Sequence, residues 1–289
     1  MNTLAVHLDT DIGDDIDDAF CLALILRCPE LRLKSVTTVL NDTAQRADMC
    51  ADLLEAAGVE VPIGTGCRGV MTRRPNMHSI TRQPNHGALK NRERPIDVAN
   101  ALRILRTARA EADVILTIGP LTNLAMSLVA EPDVTRFPRY IAMAGEVKTP
   151  AFGEWNIRVD PEAAEIVCTS GVAIDFIPWR IGIDTKLTPA DEARLNAGTS
   201  PLMNVLNAFR REFAIKDGKK EEMFDPMTVV ALLHPEWFTW DRGTLHVETA
   251  GQHAYSQTIL QRNDTGPHRV AVAVDADRAR QWMIDRLTA

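Results

Sequence analysis

Short runs of β-forming residues alternate with longer amphipathic runs through the first two thirds of the chain, and no other feature restricts the fold as strongly. The runs are LAVHL (4–8), DDAFCLALILRC (17–28), LKSVTTVL (33–40), TAQRADMCADLLEAAG (43–58) and VPIGTG (61–66). The rhythm resumes with VANALRILRTAR (98–109), DVILTIG (113–119), LTNLAMSLVAE (121–131), RYIAMAG (139–145), PEAAEIVCTSG (161–171) and VAIDFIPW (172–179). Strands that each feed a helix before the next strand form βαβ units, and βαβ units build a parallel sheet covered by helices. Beyond 180 come a helical stretch (188–215), the charged run KDGKKEE (216–222) and a short helix starting near Asp225 and Pro226. Two alternating runs follow, TLHVETAG and HAYSQTIL, then a strand, RVAVAVD, and a closing helix, DADRARQWMIDRL. The expected fold is α/β, a single open, mostly parallel, Rossmann-like sheet flanked by helices with a late antiparallel edge. No repeat or low-complexity linker divides the 289 residues, so one domain over 1–289 is expected. Residues 68–97 break the rhythm, and so long a segment without an element of its own is expected to be a functional loop.

The net charge of -7, with no cationic face, argues against duplex nucleic acid as a partner. The longest apolar run, Ala19 to Leu26, is too short to span a bilayer, and MNTLAVHLD shows neither a basic nor an apolar leader. Five cysteines, at 21, 28, 50, 67 and 168, make no C-x-x-C pair and are read as thiols in a reducing compartment. These features predict a soluble, cytoplasmic protein without membrane or nucleic-acid partners.

Chemistry concentrates in LDTDIGDDIDDAF, where Asp9, Asp11, Asp14, Asp15, Asp17 and Asp18 follow the first strand. Ligands of open α/β sheets bind at the carboxyl ends of strands. Like charges about 4 Å apart repel by roughly 4 kcal/mol at an effective dielectric near 20. Several converging aspartates therefore require a cation or raised pKa values, and oxygen ligands favour calcium or magnesium over zinc. Asp14 and Asp15 also suit solvated or helix-capping roles, because the first turn of a helix favours carboxylates. An EF-hand is a poor match: the glycine falls one place early relative to Asp9, and Phe20 stands where the bidentate glutamate belongs.

LDTDIGDDIDDA closely resembles the N-terminal signature of the inosine-uridine preferring nucleoside hydrolases, in the variant with two more residues before the final DDA. The likeness continues in family order through TTVLNDT (37–43), PIGTG (62–66), NHG (85–87), TIGPLTNLA (117–125), MAGEV (143–147), EWNIRVDPEAAEIV (154–167) and FDP (224–226). It implies a calcium-dependent N-ribohydrolase with a nucleoside hydrolase fold, acting on a small ribonucleoside as a homodimer or homotetramer. By this resemblance Asp11 is a calcium ligand and the general base that deprotonates the metal-bound water. Asp18 is the bidentate ligand, Asp225 a ligand on the opposite side that also borders the substrate, and Ile118 a ligand through its carbonyl. Asp17 is expected to hold the ribose 2'-hydroxyl, with Asp15 the alternative in this register. Asn156 and Glu154 are expected at the 3'- and 5'-hydroxyls, and Met143 at the ribose floor. Asp42 is expected as a water or ribose neighbour, although Asn41 replaces the glycine that usually precedes it. Asp9 is expected to support the ligands, and His86 to lie near the leaving base. Asp225 before Pro226 also fits a helix N-cap, and GIDTKLT (182–188) fits a strand end running into a helix capped at Thr188.

Phe224 departs from the pattern. Members preferring inosine and uridine commonly carry histidine there as the acid for the departing base, and phenylalanine cannot donate a proton. Activation is then expected from His86 or His78, from Lys219, Lys220, Glu221 or Glu222, or from stacking by Phe224 and Trp155. Two other classes compete. A haloacid dehalogenase-type phosphohydrolase also begins with a strand and D-x-D, but Gly13 stands where it needs Thr or Val. A non-catalytic nucleoside- or ribose-binding protein on the same fold is the other alternative, motivated by Phe224 and the Asn41-Asp42 pair.

Overall fold

The structure, a computed structural model, describes residues 3–71, 88–132, 138–149, 153–217 and 222–289. Its strands are β1 (Leu4–Thr10), β2 (Leu31–Thr38), β3 (Ile63–Thr65), β4 (Val114–Thr117), β5 (Arg139–Met143), β6 (Ile174–Ile177), β7 (Phe238–Val247), β8 (Thr258–Arg262) and β9 (His268–Val274). They form one nine-stranded sheet in the order β3-β2-β1-β4-β5-β6-β9-β7-β8. Every pair from β3 to β9 is parallel, while β7 runs antiparallel to both β9 and β8. The expected sheet, late edge included, is the observed one.

The helices are α1 (Asp17–Arg27), α2 (Thr43–Ala57), α3 (Val98–Glu111), α4 (Thr122–Ala130), α5 (Trp155–Val159), α6 (Pro161–Thr169), α7 (Trp179–Asp184), α8 (Pro189–Asn196), α9 (Pro201–Asp217), α10 (Pro226–Leu233) and α11 (Ala276–Thr288). Helix α1 opens with two carboxylates, which its N-terminal dipole favours, and is buried from Asp17 through Ile25. Such all-round burial suits a helix packed between the sheet and other helices, and α1 lies against α2, α9, α10 and α11. The core falls into two clusters of buried side chains, one containing Leu8, Phe20, Phe209 and Met227, the other Tyr140, Phe176 and Val270. All five cysteines are free, and Cys67 alone is half-buried rather than buried. Among the described residues no helix is long and apolar enough to cross a membrane.

Two local expectations are corrected. The stretch 188–215 is not one helix: α8 ends at Asn196, and Pro201 opens α9 after a break containing Gly198 and Ser200. GIDTKLT is not a strand end either, because Gly182 to Asp184 belong to α7 and Lys186 makes only an isolated bridge to Glu222. Its last residue does cap a helix: Thr188 and Asp191 satisfy each other's backbone N–H groups at the start of α8.

Candidate active site

Strand β1 has β2 on one side and β4 on the other, so the connection from β1 leaves toward one edge and the chain later returns to the opposite one. A crevice opens at such a switch point, beyond the carboxyl ends of the strands. The aspartate loop leaves the end of β1 there, and Ile118 and Gly119 leave the end of β4 beside it. The approach is close: a Cβ on Gly119 would sit 2.8 Å from Asp11 Oδ1 and from Val39 Cγ1. The loop is pinned from within, with Thr10 Oγ1 donating to Asp18 Oδ1 at 2.5 Å and accepting from Ile12 N at 3.1 Å.

A cavity of about 350 Å³ occupies the crevice. Its floor is buried: Asp11, Asp14, Asp17 and Asp18 from the aspartate loop and α1, Ile118 and Met143 from strand ends, Glu154 and Asn156 at the start of α5, and Asp225 before α10. Its rim is half-buried and consists of Asp15, Trp155, Arg158, Trp179, Glu222 and Phe224. Asn156 Nδ2 donates to the carbonyls of Ile118 and Met143, both at 3.0 Å, and so ties the ends of β4 and β5 together. Glu154 accepts from the backbone N–H of Gly145, Asn156 and Ile157. Burial nevertheless pushes its carboxyl up to about 7. On the rim, Phe224 stacks on Trp179 with ring centroids 6.4 Å apart. Gly182 makes this packing possible, since a Cβ there would lie 2.1 Å from Phe224 Cδ1.

Asp225 reaches the floor across 208 residues of sequence, its N–H donating to Asp17 Oδ2 at 3.2 Å. Oxygen atoms of Asp17, Asp18 and Asp225 lie within 4.8 Å of one another. Burial drives the carboxyls of Asp11, Asp17, Asp18 and Asp225 well above the usual range, and neighbouring carboxylates raise them further. An all-oxygen, buried, mutually repelling donor set fits a hard divalent cation, whose charge would reverse both effects. One protein cation offsets the cluster from behind. Arg46 of α2 is fully buried, and its Nη2 meets Asp14 Oδ2 at 2.9 Å. Its other donors go to the carbonyls of Leu40, Asp11 and Ile12.

The cavity thus brings together Asp11, Asp17, Asp18, Ile118, Met143, Glu154, Trp155, Asn156, Phe224 and Asp225. Asp42 is elsewhere: its carboxylate caps α2, accepting from Gln45 N at 3.1 Å, and lines a neighbouring cavity with Asp48 and Arg94. Asn41 adopts φ +57°, the left-handed region that glycine and asparagine tolerate, which accounts for asparagine in place of the usual glycine. Asp9 supports the floor indirectly, accepting from Thr37 Oγ1 and Asn123 Nδ2. Asp225 does not cap α10 through its side chain, so the N-cap reading is corrected. Asp14 is neither solvated nor a cap but the ion-pair partner of Arg46. His86, His78, Lys219, Lys220 and Glu221 lie outside the described residues. Sequence reasoning missed Arg46, Arg158 and Trp179. Arg158 carried a usable signal, being a cation one helical turn after Glu154 inside the motif EWNIRVDPEAA.

A family model described as inosine-uridine preferring nucleoside hydrolase matches residues 6–283, nearly the whole chain. The chain belongs to this family. The hydrolase is 29% identical to a non-specific ribonucleoside hydrolase, RihC, of Salmonella schwarzengrund, over 98% of its own length and 97% of the relative's. Among solved structures it resembles a plant nucleoside hydrolase, PpNRh1, with a TM-score of 0.81, 26% identity and 99% of each chain covered. A purine-preferring ribonucleoside hydrolase from Gardnerella vaginalis shares the fold, with a TM-score of 0.76, 22% identity and 98% of each chain covered.

Proposed function

We propose that this hydrolase cleaves the N-glycosidic bond of a ribonucleoside in a calcium-dependent reaction, with Asp11 as general base. The observation that carries this reading is that Asp11, just past the end of β1, shares the buried floor of one cavity with Asp18 and Asp225. Asp11, Asp18, Asp225 and the Ile118 carbonyl would hold the calcium, which when bound supplies a charge that acidifies water and offsets the carboxylates. Asp11 takes a proton from the attacking water as its oxygen bonds to C1'. Asp17 holds the 2'-hydroxyl. Asn156, whose Nδ2 is spent on two carbonyls, offers Oδ1 to the 3'-hydroxyl. Glu154 takes the 5'-hydroxyl, and Met143 underlies the ring. Carboxylates around the sugar oppose the positive charge that grows on the ribosyl group as the base departs. Trp155 and Phe224 flank the base. The similarity to a non-specific ribonucleoside hydrolase and to a plant nucleoside hydrolase supports a ribonucleoside substrate. We further propose that residues 1–289 act as one domain, in the cytoplasm, as a homodimer or homotetramer.

The test is ribose release from purine, pyrimidine and modified ribonucleosides, with calcium and after chelation. Calcium-dependent release is expected, and Asp11→Asn should lower kcat by about 100- to 10,000-fold. Turnover untouched by chelation would remove the metal from the reading, and full turnover in the variant would remove the base.

A further inference from the structure

The rim holds a cation that the reaction as described leaves unused. Among the described residues lining the cavity, Arg158 is the one cationic side chain. It lies on α5, where its backbone N–H donates to Glu154 O at 2.7 Å and its guanidinium carbon rests 5.3 Å from the centre of the Trp155 ring. The guanidinium makes no hydrogen bond or ion pair with any described residue. Arg46, Arg92, Arg94, Arg139, Arg269 and Arg280 behave differently, each pairing with a carboxylate. A planar cation lying on an indole at the edge of the cavity, its charge also acting on Glu154 and none of its guanidinium donors spent on a described residue, is arranged to meet a ligand.

The leaving group needs such a donor. Fission of the glycosidic bond places an electron pair on a base nitrogen, and Phe224 has no proton to offer there. It is also locked in position, between Trp179 and the backbone of Gly182. The amide hydrogens of Asn156 are committed to the carbonyls of Ile118 and Met143. The sugar belongs on the carboxylate floor, so the base faces the half-buried rim where Arg158 and the aromatic rings stand.

We propose that Arg158 stabilises the departing base, its guanidinium donating hydrogen bonds to the base as negative charge develops on it. This rests on the hydrolase reading above. The bond from C1' to the base nitrogen breaks and its electron pair leaves with the base. The water oxygen bonds to C1', and its proton passes to the Asp11 carboxylate. The base departs as an anion held by Arg158 and takes a proton from solvent on release, while Asp11 returns its own to solvent. Arg158 stays protonated throughout, because a guanidinium does not ionise in this range.

The experiment compares ribonucleosides whose bases differ in acidity with p-nitrophenyl riboside, whose phenolate departs unaided, using the full-length, calcium-loaded protein. Arg158→Ala should lower kcat on nucleosides by about 100-fold with KM changed by less than about threefold. The same variant should keep p-nitrophenyl riboside turnover within about threefold of wild type, and log kcat should fall more steeply with the pKa of the leaving base. Arg158→Lys, which keeps the charge, should recover about tenfold of the loss. Equal losses on both substrate types would assign Arg158 to the fold or the sugar, and no loss on nucleosides would leave it idle; either overturns the proposal. Wild type that turns over p-nitrophenyl riboside but no nucleoside overturns it as well. Wild type that releases ribose from neither overturns the hydrolase reading itself.

Discussion

Arg46 shows how one side chain can hold a loop of like charges in place. Its guanidinium is wholly out of water and grips the backbone at Leu40, Asp11 and Ile12 while pairing with Asp14. Leu40 sits at φ +70°, which a leucine adopts only when its surroundings hold it there. Removing a buried ion-pair partner leaves an uncompensated charge and unsatisfied carbonyls. Arg46→Met should therefore cost about 3–5 kcal/mol, read from urea unfolding, and an unchanged midpoint would refute the role. None of this was legible in the sequence. Within TAQRADMC the arginine reads as one more polar residue of an amphipathic helix, and Asp14 as one more solvated carboxylate. Their pairing spans 32 positions and depends on how α2 packs behind the end of β1.

At the scale of elements, β1 and β2 carry a buried polar relay between the sheet and the floor. His7 is fully buried, with Nδ1 2.8 Å from Ser35 Oγ and Nε2 3.0 Å from Thr37 Oγ1. Thr37 spends its only hydroxyl hydrogen on Asp9, so Nε2 must donate and Nδ1 must accept from Ser35. The imidazole is held neutral, and burial pushes its pKa down to about 3. In the unfolded chain it takes a proton below about pH 6.5, so its contribution to stability is complete above that pH. The contribution is lost as pH falls from there toward 3. Asp9, pushed by burial up to about 6, works in the opposite sense over part of that range. Nitrogen chemical shifts of the ring isolate the histidine: a neutral Nε2–H tautomer is expected at pH 7, where Asp9 is ionised and accepts from Thr37, and an imidazolium signal at pH 5 would contradict the burial of the ring. The strands themselves were readable, because alternation and β-branched residues mark them. The short helices α5 and α7 were not, since five or six residues carry too little periodicity to separate a helical turn from a loop or a strand end. The break before α9 was hidden for a similar reason, with apolar residues continuing on both sides of it.

For the molecule as a whole, the floor joins segments from nearly the full length of the chain. The aspartate cluster and its place at a strand end were legible, because a D-rich run directly after the first strand allows few other readings. The meeting of Asp225 with Asp17 was not derivable from spacing, since 208 residues separate them; only the family resemblance pointed to Asp225. Because the carboxylates come from the loop after β1, from α1 and from the residue before α10, a cation among them binds the folded chain and not the unfolded one. Calcium at about 100 times its dissociation constant should then add about 2.7 kcal/mol, or roughly 5 °C in melting temperature. Calorimetry with calcium and with chelator should show the difference, and Asp18→Asn should abolish it. Identical melting curves would argue against a folded-state metal site.

The separation of buried floor from half-buried rim has a consequence for how such enzymes diversify. The floor is fixed by strand ends and by the packing of α1 and α10, so its chemistry is inherited with the fold. The rim is built from short helices and side chains that reach toward solvent. Positions 155, 158 and 222, which are not held by the Trp179–Phe224 stack, can therefore drift without rebuilding the buried floor, and a combinatorial library confined to them offers a direct route to retraining this scaffold for bases it does not now accept.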